Sequence, residues 1–134
     1  MTLSGVRALF EKYGILPTPQ RLEIAHILLA KPQHLSAEHI IDKLRVAESA
    51  VSKATVYNTL NLFSGRGRVK EVMVDPVRKF YDSTTHPHHH FYNVDSGELS
   101  DIPDDRVLFE KLPELPDGTR RSSVEVLIRV RNQG

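Results

Sequence analysis

The stretch Ser52-Lys53-Ala54-Thr55-Val56-Tyr57-Asn58-Thr59-Leu60-Asn61-Leu62-Phe63 decides the fold. Ser52 is of the N-cap type, because its hydroxyl can accept from a backbone N–H that the first helical turn leaves without a partner. Val56, Leu60 and Phe63 follow at i, i+4 and i+7 and form one apolar stripe toward a core. Ala54, Tyr57, Asn58 and Asn61 project from roughly the other side. Ser64-Gly65-Arg66-Gly67-Arg68 then breaks the helix with two glycines, and Val69 to Val74 and Val77 to Asp82 read as strands joined around Asp75-Pro76.

Toward the N-terminus the punctuation marks three more helices. Leu3, Val6, Leu9, Phe10 and Tyr13 recur at helical spacing, with Gly14 as the stop. Thr18-Pro19 is an N-cap followed by proline at the first helical position, and Leu22, Ile24, Ala25, Leu28 and Leu29 supply a buried face before Pro32. Ser36 caps a third helix with Glu38 in its first turn and Ile40, Ile41 and Leu44 inward. Helices followed by a two-stranded hairpin describe a winged helix-turn-helix.

Past Asp82 the pattern changes. His88 to Val94 and Glu98-Leu99 predict a second hairpin turning at Asp95-Ser96-Gly97. Ile102-Pro103-Asp104-Asp105 predicts a short helix reaching about Lys111, residues 112–118 a loop, and Ser123 to Val130 a final strand. The expected class is α+β: a winged helix-turn-helix domain over residues 1–82 and a small α/β domain over 83–134. A unit of about 50 residues has a thin core, and such units often complete it by oligomerising.

With 40% apolar and 26% charged residues, the 134-residue chain belongs with folded proteins rather than disordered ones. No apolar run approaches the roughly 18 residues that cross a bilayer, and no leader pattern opens the sequence, so a cytoplasmic protein without a membrane partner is expected. The lack of cysteine excludes disulfides and thiolate metal sites. Residues 1–83 carry 12 Lys/Arg against 8 Asp/Glu and residues 84–134 carry 6 against 9, a basic front half that mildly favours a polyanion. Seven histidines are present, at 26, 34, 39, 86, 88, 89 and 90. His88 and His90, two apart in a predicted strand, leave the same face and with carboxylates from elsewhere suit zinc, iron or manganese. His89 faces the other way.

Three segments resemble the ferric uptake regulator family of bacterial metal-responsive transcription factors: Gly14-Ile15-Leu16-Pro17-Thr18-Pro19-Gln20-Arg21, His34-Leu35-Ser36-Ala37-Glu38 and Ser52 through Leu60. The histidine run stands at the family's usual place. The resemblance implies that residues 1–82 are a winged-helix DNA-binding domain and 83–134 an α/β dimerisation and metal-sensing domain, in a homodimer binding a double-stranded, A·T-rich inverted-repeat operator as a repressor of iron-related genes. It also implies a divalent metal held by His34, Asp82, His88, His90 and Asp101. Asn93 and Ser96 stand where many members have a Cys-x-x-Cys pair, so no structural zinc held by four cysteines is expected. His88-His89-His90-Phe91-Tyr92 is similar to the haem-responsive iron response regulator branch, which makes His88, His89 and His90 haem candidates. Manganese-, zinc- and peroxide-responsive regulation are the alternatives within the family.

For DNA, Tyr57 can reach a thymine methyl with its ring and a phosphate with its hydroxyl. Lys53, Thr55 and Asn58 add polar contacts, with Asn58 replacing an arginine frequent in relatives. Thr18 and Arg21 at the second helix start, and Arg66 and Arg68 before the wing, are backbone contacts. The rival class, a metal-dependent hydrolase using the histidines, lacks an HExxH or comparable pattern; the chain is expected not to be an enzyme.

Overall fold

The computed structural model describes residues 3–134, which fall into two compact units dividing between Thr85 and His86. The sequence places the boundary after Asp82. Ser83 and Thr84 stay with the first unit because they are bonded into it: Ser83 N–H donates to the Gln33 carbonyl at 2.9 Å, and Thr84 N–H to Asp82 Oδ1 at 2.9 Å.

The first unit combines a small sheet with four helices: α1 (Leu3–Lys12), α2 (Pro19–Leu28), α3 (Ala37–Val46) and α4 (Lys53–Gly65). Three of them start where the capping chemistry predicts. Thr18 Oγ1 accepts from Arg21 N–H at 3.3 Å, Ser36 Oγ from His39 N–H at 3.1 Å, and Ser52 Oγ from Thr55 N–H at 3.2 Å. At α3 the box is reciprocal, since His39 Nδ1 accepts from Ser36 N–H at 3.3 Å. Helix α4 ends as Gly67 takes φ +74°, a conformation that lets Arg68 N–H reach back to the Phe63 carbonyl at 2.9 Å. Val56, Leu60 and Phe63 are fully buried with Val6, Phe10, Ile24, Leu28, Ile40 and Leu44, and the Phe10 and Phe63 rings meet edge-on at 5.6 Å.

The sheet of this unit is antiparallel with strand order β1-β3-β2: β1 (His34–Ser36), β2 (Lys70–Met73) and β3 (Lys79–Asp82). Its hairpin turns where Asp75 Oδ1 accepts from the N–H groups of Val77 and Arg78 at 2.8 and 2.7 Å. Strand β1 is a finding the sequence pattern did not predict. At three residues it is too short for an alternation to register, and its pairing with β3 supplies the order.

In the second unit, β4 (His89–Asn93) lies between β5 (Leu99–Ile102), antiparallel to it, and β6 (Leu127–Val130), parallel to it. The hairpin turns as expected: Asn93 Oδ1 accepts from Asp95 and Ser96 N–H at 2.9 and 3.0 Å, and Gly97 takes φ +75°. The helix expected from Ile102 to Lys111 does not form. Only a 3-10 turn over Asp104–Arg106 does. Leu108 and Phe109 are exposed, so a helix there would bury no apolar face, and a short helix without packing is marginal in water. The final strand is also shorter than the Ser123–Val130 run of β-formers, because only residues from Leu127 onward pair with β4. No described helix is long and apolar enough to cross a membrane.

Leu60→Ala should lower unfolding free energy by about 2–5 kcal/mol, the range for opening a cavity at a fully buried leucine. Denaturant titration followed by circular dichroism measures it, and Asn61→Ala on the exposed side of the same helix should change stability by well under about 1 kcal/mol.

Candidate metal centre and recognition helix

Antiparallel pairing of β4 with β5 sets His90 directly opposite Asp101, and His88 precedes β4 by one residue. The two imidazoles, with ring centroids 4.3 Å apart, turn onto one carboxylate oxygen. Asp101 Oδ1 lies 3.1 Å from His88 Nε2 and 3.3 Å from His90 Nε2. Both histidines are buried, whereas the Asp101 side chain is 60% exposed.

Chemistry of the donors indicates what this arrangement can hold. His88 Nδ1 lies 2.9 Å from the His86 carbonyl, which can only accept, so Nδ1 carries a proton. In the neutral ring Nε2 then holds a lone pair aimed at a carboxylate oxygen. Two acceptors face each other, and a positive charge between them, a proton or a cation, relieves the contact. A backbone carbonyl that fixes the tautomer in this way is a usual partner of a metal-ligating histidine. Ligand atoms around an ion at about 2.1 Å stand about 3.0 Å apart at right angles and about 3.4 Å apart at tetrahedral angles. The two observed distances fall within that range, and the residues fit a divalent cation.

His89 belongs to the opposite face, as strand alternation requires. Its Nδ1 accepts from Val126 N–H at 2.8 Å and its ring meets Phe109 edge-on at 5.9 Å. It pins the return of the chain toward β6. Exposed His86 offers its carbonyl to His88 and a tilted ring at 5.4 Å.

The remaining two predicted ligands lie in the first unit, opposite each other in register on β1 and β3: His34 and Asp82. Paired residues of an antiparallel ladder share a face. Asp82 is 1% exposed and His34 is half-buried with its ring edge-on to Phe80 at 6.3 Å. His39 caps α3 and its ring leans on Phe80 at 6.0 Å, and His26 is exposed on α2.

Burial of Val56, Leu60 and Phe63 leaves Lys53, Ala54, Tyr57, Asn58 and Asn61 exposed along α4. Tyr57 is 42% exposed and its hydroxyl donates to Glu38 Oε1 of α3 at 3.2 Å. Partial burial raises the Tyr57 hydroxyl above its ordinary value, and the charge of Glu38 and its hydrogen bond add to the rise. Sequence reasoning places Glu38 only in the first turn of α3. Nineteen residues separate it from Tyr57, and no local pattern links them.

Other predicted contacts are placed differently. Thr18 and Thr55 serve at helix starts, and Arg21 Nη1 donates to the Leu16 carbonyl at 3.0 Å. Arg66 is exposed, with Nη1 only 3.0 Å from where a Cβ on Gly14 would stand. Arg68 is turned into the unit. It donates from Nη1 to the Ser83 carbonyl at 3.3 Å, lies 5.8 Å over the Tyr13 ring, and has a buried Nε with no hydrogen-bond partner among the described residues. Its guanidinium is committed to the scaffold of the wing. On β3, Lys79 pairs with Glu71 at 2.8 Å, and that hydrogen bond raises the Lys79 ammonium's pKa.

Residues 12–119 match the ferric uptake regulator family, which is most of the chain. The chain belongs to that family. It is a family of transcriptional regulators, not of enzymes, and the hydrolase alternative falls with that. The chain is similar to the peroxide-responsive repressor PerR of Staphylococcus epidermidis, 33% identical over 95 residues that are 71% of this chain and 63% of that protein. It therefore spans just over three fifths of the length of such relatives. The ferric uptake regulator of Pseudomonas aeruginosa, solved with manganese, has the same fold at TM-score 0.70 and 24% identity, covering 96% of this chain and 98% of that one. The ferric uptake regulator of Vibrio cholerae aligns at TM-score 0.74 and 24% identity over 93% and 98%.

Replacing His88 with alanine should weaken Mn2+ or Zn2+ binding by at least about tenfold, the usual scale for disturbing a metal ligand or its support. His89→Ala should leave metal affinity unchanged and cost about 1–3 kcal/mol of stability by stranding the Val126 N–H. Competition with a chromophoric chelator reads the first effect and thermal unfolding the second.

Proposed function

We propose that this chain is a homodimeric, metal-responsive repressor that binds double-stranded DNA through α4. The observation that carries the metal part is the convergence of two buried imidazole Nε2 atoms on one Asp101 oxygen, with His88 locked in the ligating tautomer. His34 and Asp82 are the further donors in this reading. Five residues, 83–87, tether Asp82 to His88. A divalent cation, iron, manganese or zinc, supplies the charge that the nitrogen and oxygen set lacks.

Donors taken from both units would couple ion binding to DNA affinity. A ligand that favours one of two conformations shifts the population by its difference in affinity for them. The exposed row Lys53, Tyr57 and Asn58 on a helix whose opposite side is core supports its placement in the major groove. Two such helices in a dimer would read an inverted repeat. Arg66 remains available for phosphate. Thr18, Arg21 and Thr55 would contribute through the backbone geometry they hold, and Arg68 by bracing the wing.

The signal is read as a metal rather than haem because His89 is held on the face away from His88 and His90 by Val126 and Phe109. The likeness in fold to a regulator solved with manganese supports the same side. Iron, manganese and zinc are separated by titrating each into the purified dimer while following duplex binding by fluorescence anisotropy, with haem as the control. Metal-dependent binding that chelation reverses is the expected result. A response to haem alone would overturn the metal reading. His34→Ala should lower metal affinity and abolish the metal response of DNA binding while circular dichroism stays unchanged. Light scattering should show a dimer before and after chelation.

A further inference from the structure

Tyr57 and Glu38 meet at 3.2 Å from different helices. A phenol has one proton to give and lone pairs with which to receive, while an ionised carboxylate only accepts. The direction of the bond is therefore fixed: Tyr57 donates and Glu38 Oε1 accepts. Among the described residues Glu38 has no Lys or Arg at ion-pair distance. Nearby Lys79 is held by Glu71 at 2.8 Å. With its proton turned to Glu38, the exposed hydroxyl presents its lone pairs to whatever approaches α4.

That restricts what it can touch on a duplex. Phosphate oxygens, guanine O6 and N7, adenine N7 and thymine O4 are acceptors, and they would meet lone pairs on Tyr57 and the negative charge of Glu38. The donors in the major groove are the exocyclic amino groups, N6 of adenine and N4 of cytosine. We propose that Glu38 is a specificity-determining positioning residue: by taking the Tyr57 proton it makes the hydroxyl an acceptor that reads an adenine or cytosine amino group and rejects phosphate. This rests on the DNA-binding reading above, and it replaces the phosphate contact expected of the hydroxyl from sequence. Glu38 itself touches no base. The raised pKa of Tyr57 agrees with the geometry, since the phenol stays protonated and keeps the bond to Glu38.

The test uses the full-length dimer. Wild-type protein first selects its preferred duplex from a randomised pool. Each adenine of that duplex is then replaced in turn by purine, which lacks the N6 amino group, and each cytosine by 2-pyrimidinone, which lacks the N4 group. Single phosphates are replaced by methylphosphonate in a parallel series. One amino deletion should weaken wild-type binding about tenfold, the scale of one base contact. The same deletion should have no effect on Tyr57→Phe and a clearly smaller effect on Glu38→Ala, whose hydroxyl is free to turn its proton toward phosphate. Glu38→Gln should behave as wild type, because its amide oxygen still accepts the proton. The proposal is overturned if wild type and Tyr57→Phe differ only in their response to methylphosphonate, or if Glu38→Ala remains as sensitive to the amino deletion as wild type. Should Glu38→Ala fail to fold by circular dichroism, Glu38→Gln against Tyr57→Phe on the same duplexes decides between the two outcomes. Failure of wild type to select any duplex overturns the DNA-binding reading itself, and this proposal with it.

Discussion

The burial of Val56, Leu60 and Phe63 against Phe10 and its neighbours fixes the rotation of α4 about its own axis. A helix advances by about 100° per residue, so locking three positions of one stripe settles the direction of every other side chain. Tyr57 is exposed because Val56 and Leu60 are not. Glu38 meets it because Ile40 and Leu44 lock α3 into the same core. The chemistry on the outside of this unit is a consequence of apolar packing on the inside, and a fault in the stripe would turn the outer row away before any polar contact was lost.

In the second unit the equivalent constraint is a ladder. Register between β4 and β5 places His90 opposite Asp101, and the period of two sends His88 to the same face and His89 to the other. Neighbouring histidines thus have unlike work. Two converge on a carboxylate, and the third receives a backbone N–H and packs on a phenylalanine.

Much of this was legible in the sequence, for identifiable reasons. Thr18, Ser36 and Ser52 announce helix starts because capping is local, and the i, i+4, i+7 stripe announces a face because helical geometry is periodic. The pair His88 and His90 was readable from alternation alone, and Asp101 from family resemblance. What escaped the sequence depends on meetings between distant segments. Strand β1 exists because β3 pairs with it, and Glu38 contacts Tyr57 because two helices share a core. Arg68 carries a charge that the sequence pattern assigns to the DNA backbone, yet Tyr13 and the Ser83 carbonyl draw it inward. The helix expected after Ile102 failed for the opposite reason: its local start signals were sound, but Leu108 stays exposed and Phe109 meets only the edge of the His89 ring, too little packing to hold a short helix.

The parallel pairing of β4 with β6 has a consequence for the order of folding. Tyr92 pairs with Leu99 across a seven-residue separation, whereas His90 pairs with Leu127 across thirty-seven. Closing the longer loop costs about 1.5 kcal/mol more in chain entropy, by the logarithm of the length ratio. The β4–β5 hairpin, which holds His90 and Asp101, can thus form early and alone, and β6 docks afterwards through the Val126 N–H that His89 receives and the carbonyl that His90 N–H meets. Strand β6 is the last to arrive and the first to leave, so amide exchange along it would outpace exchange in the hairpin that carries His90 and Asp101.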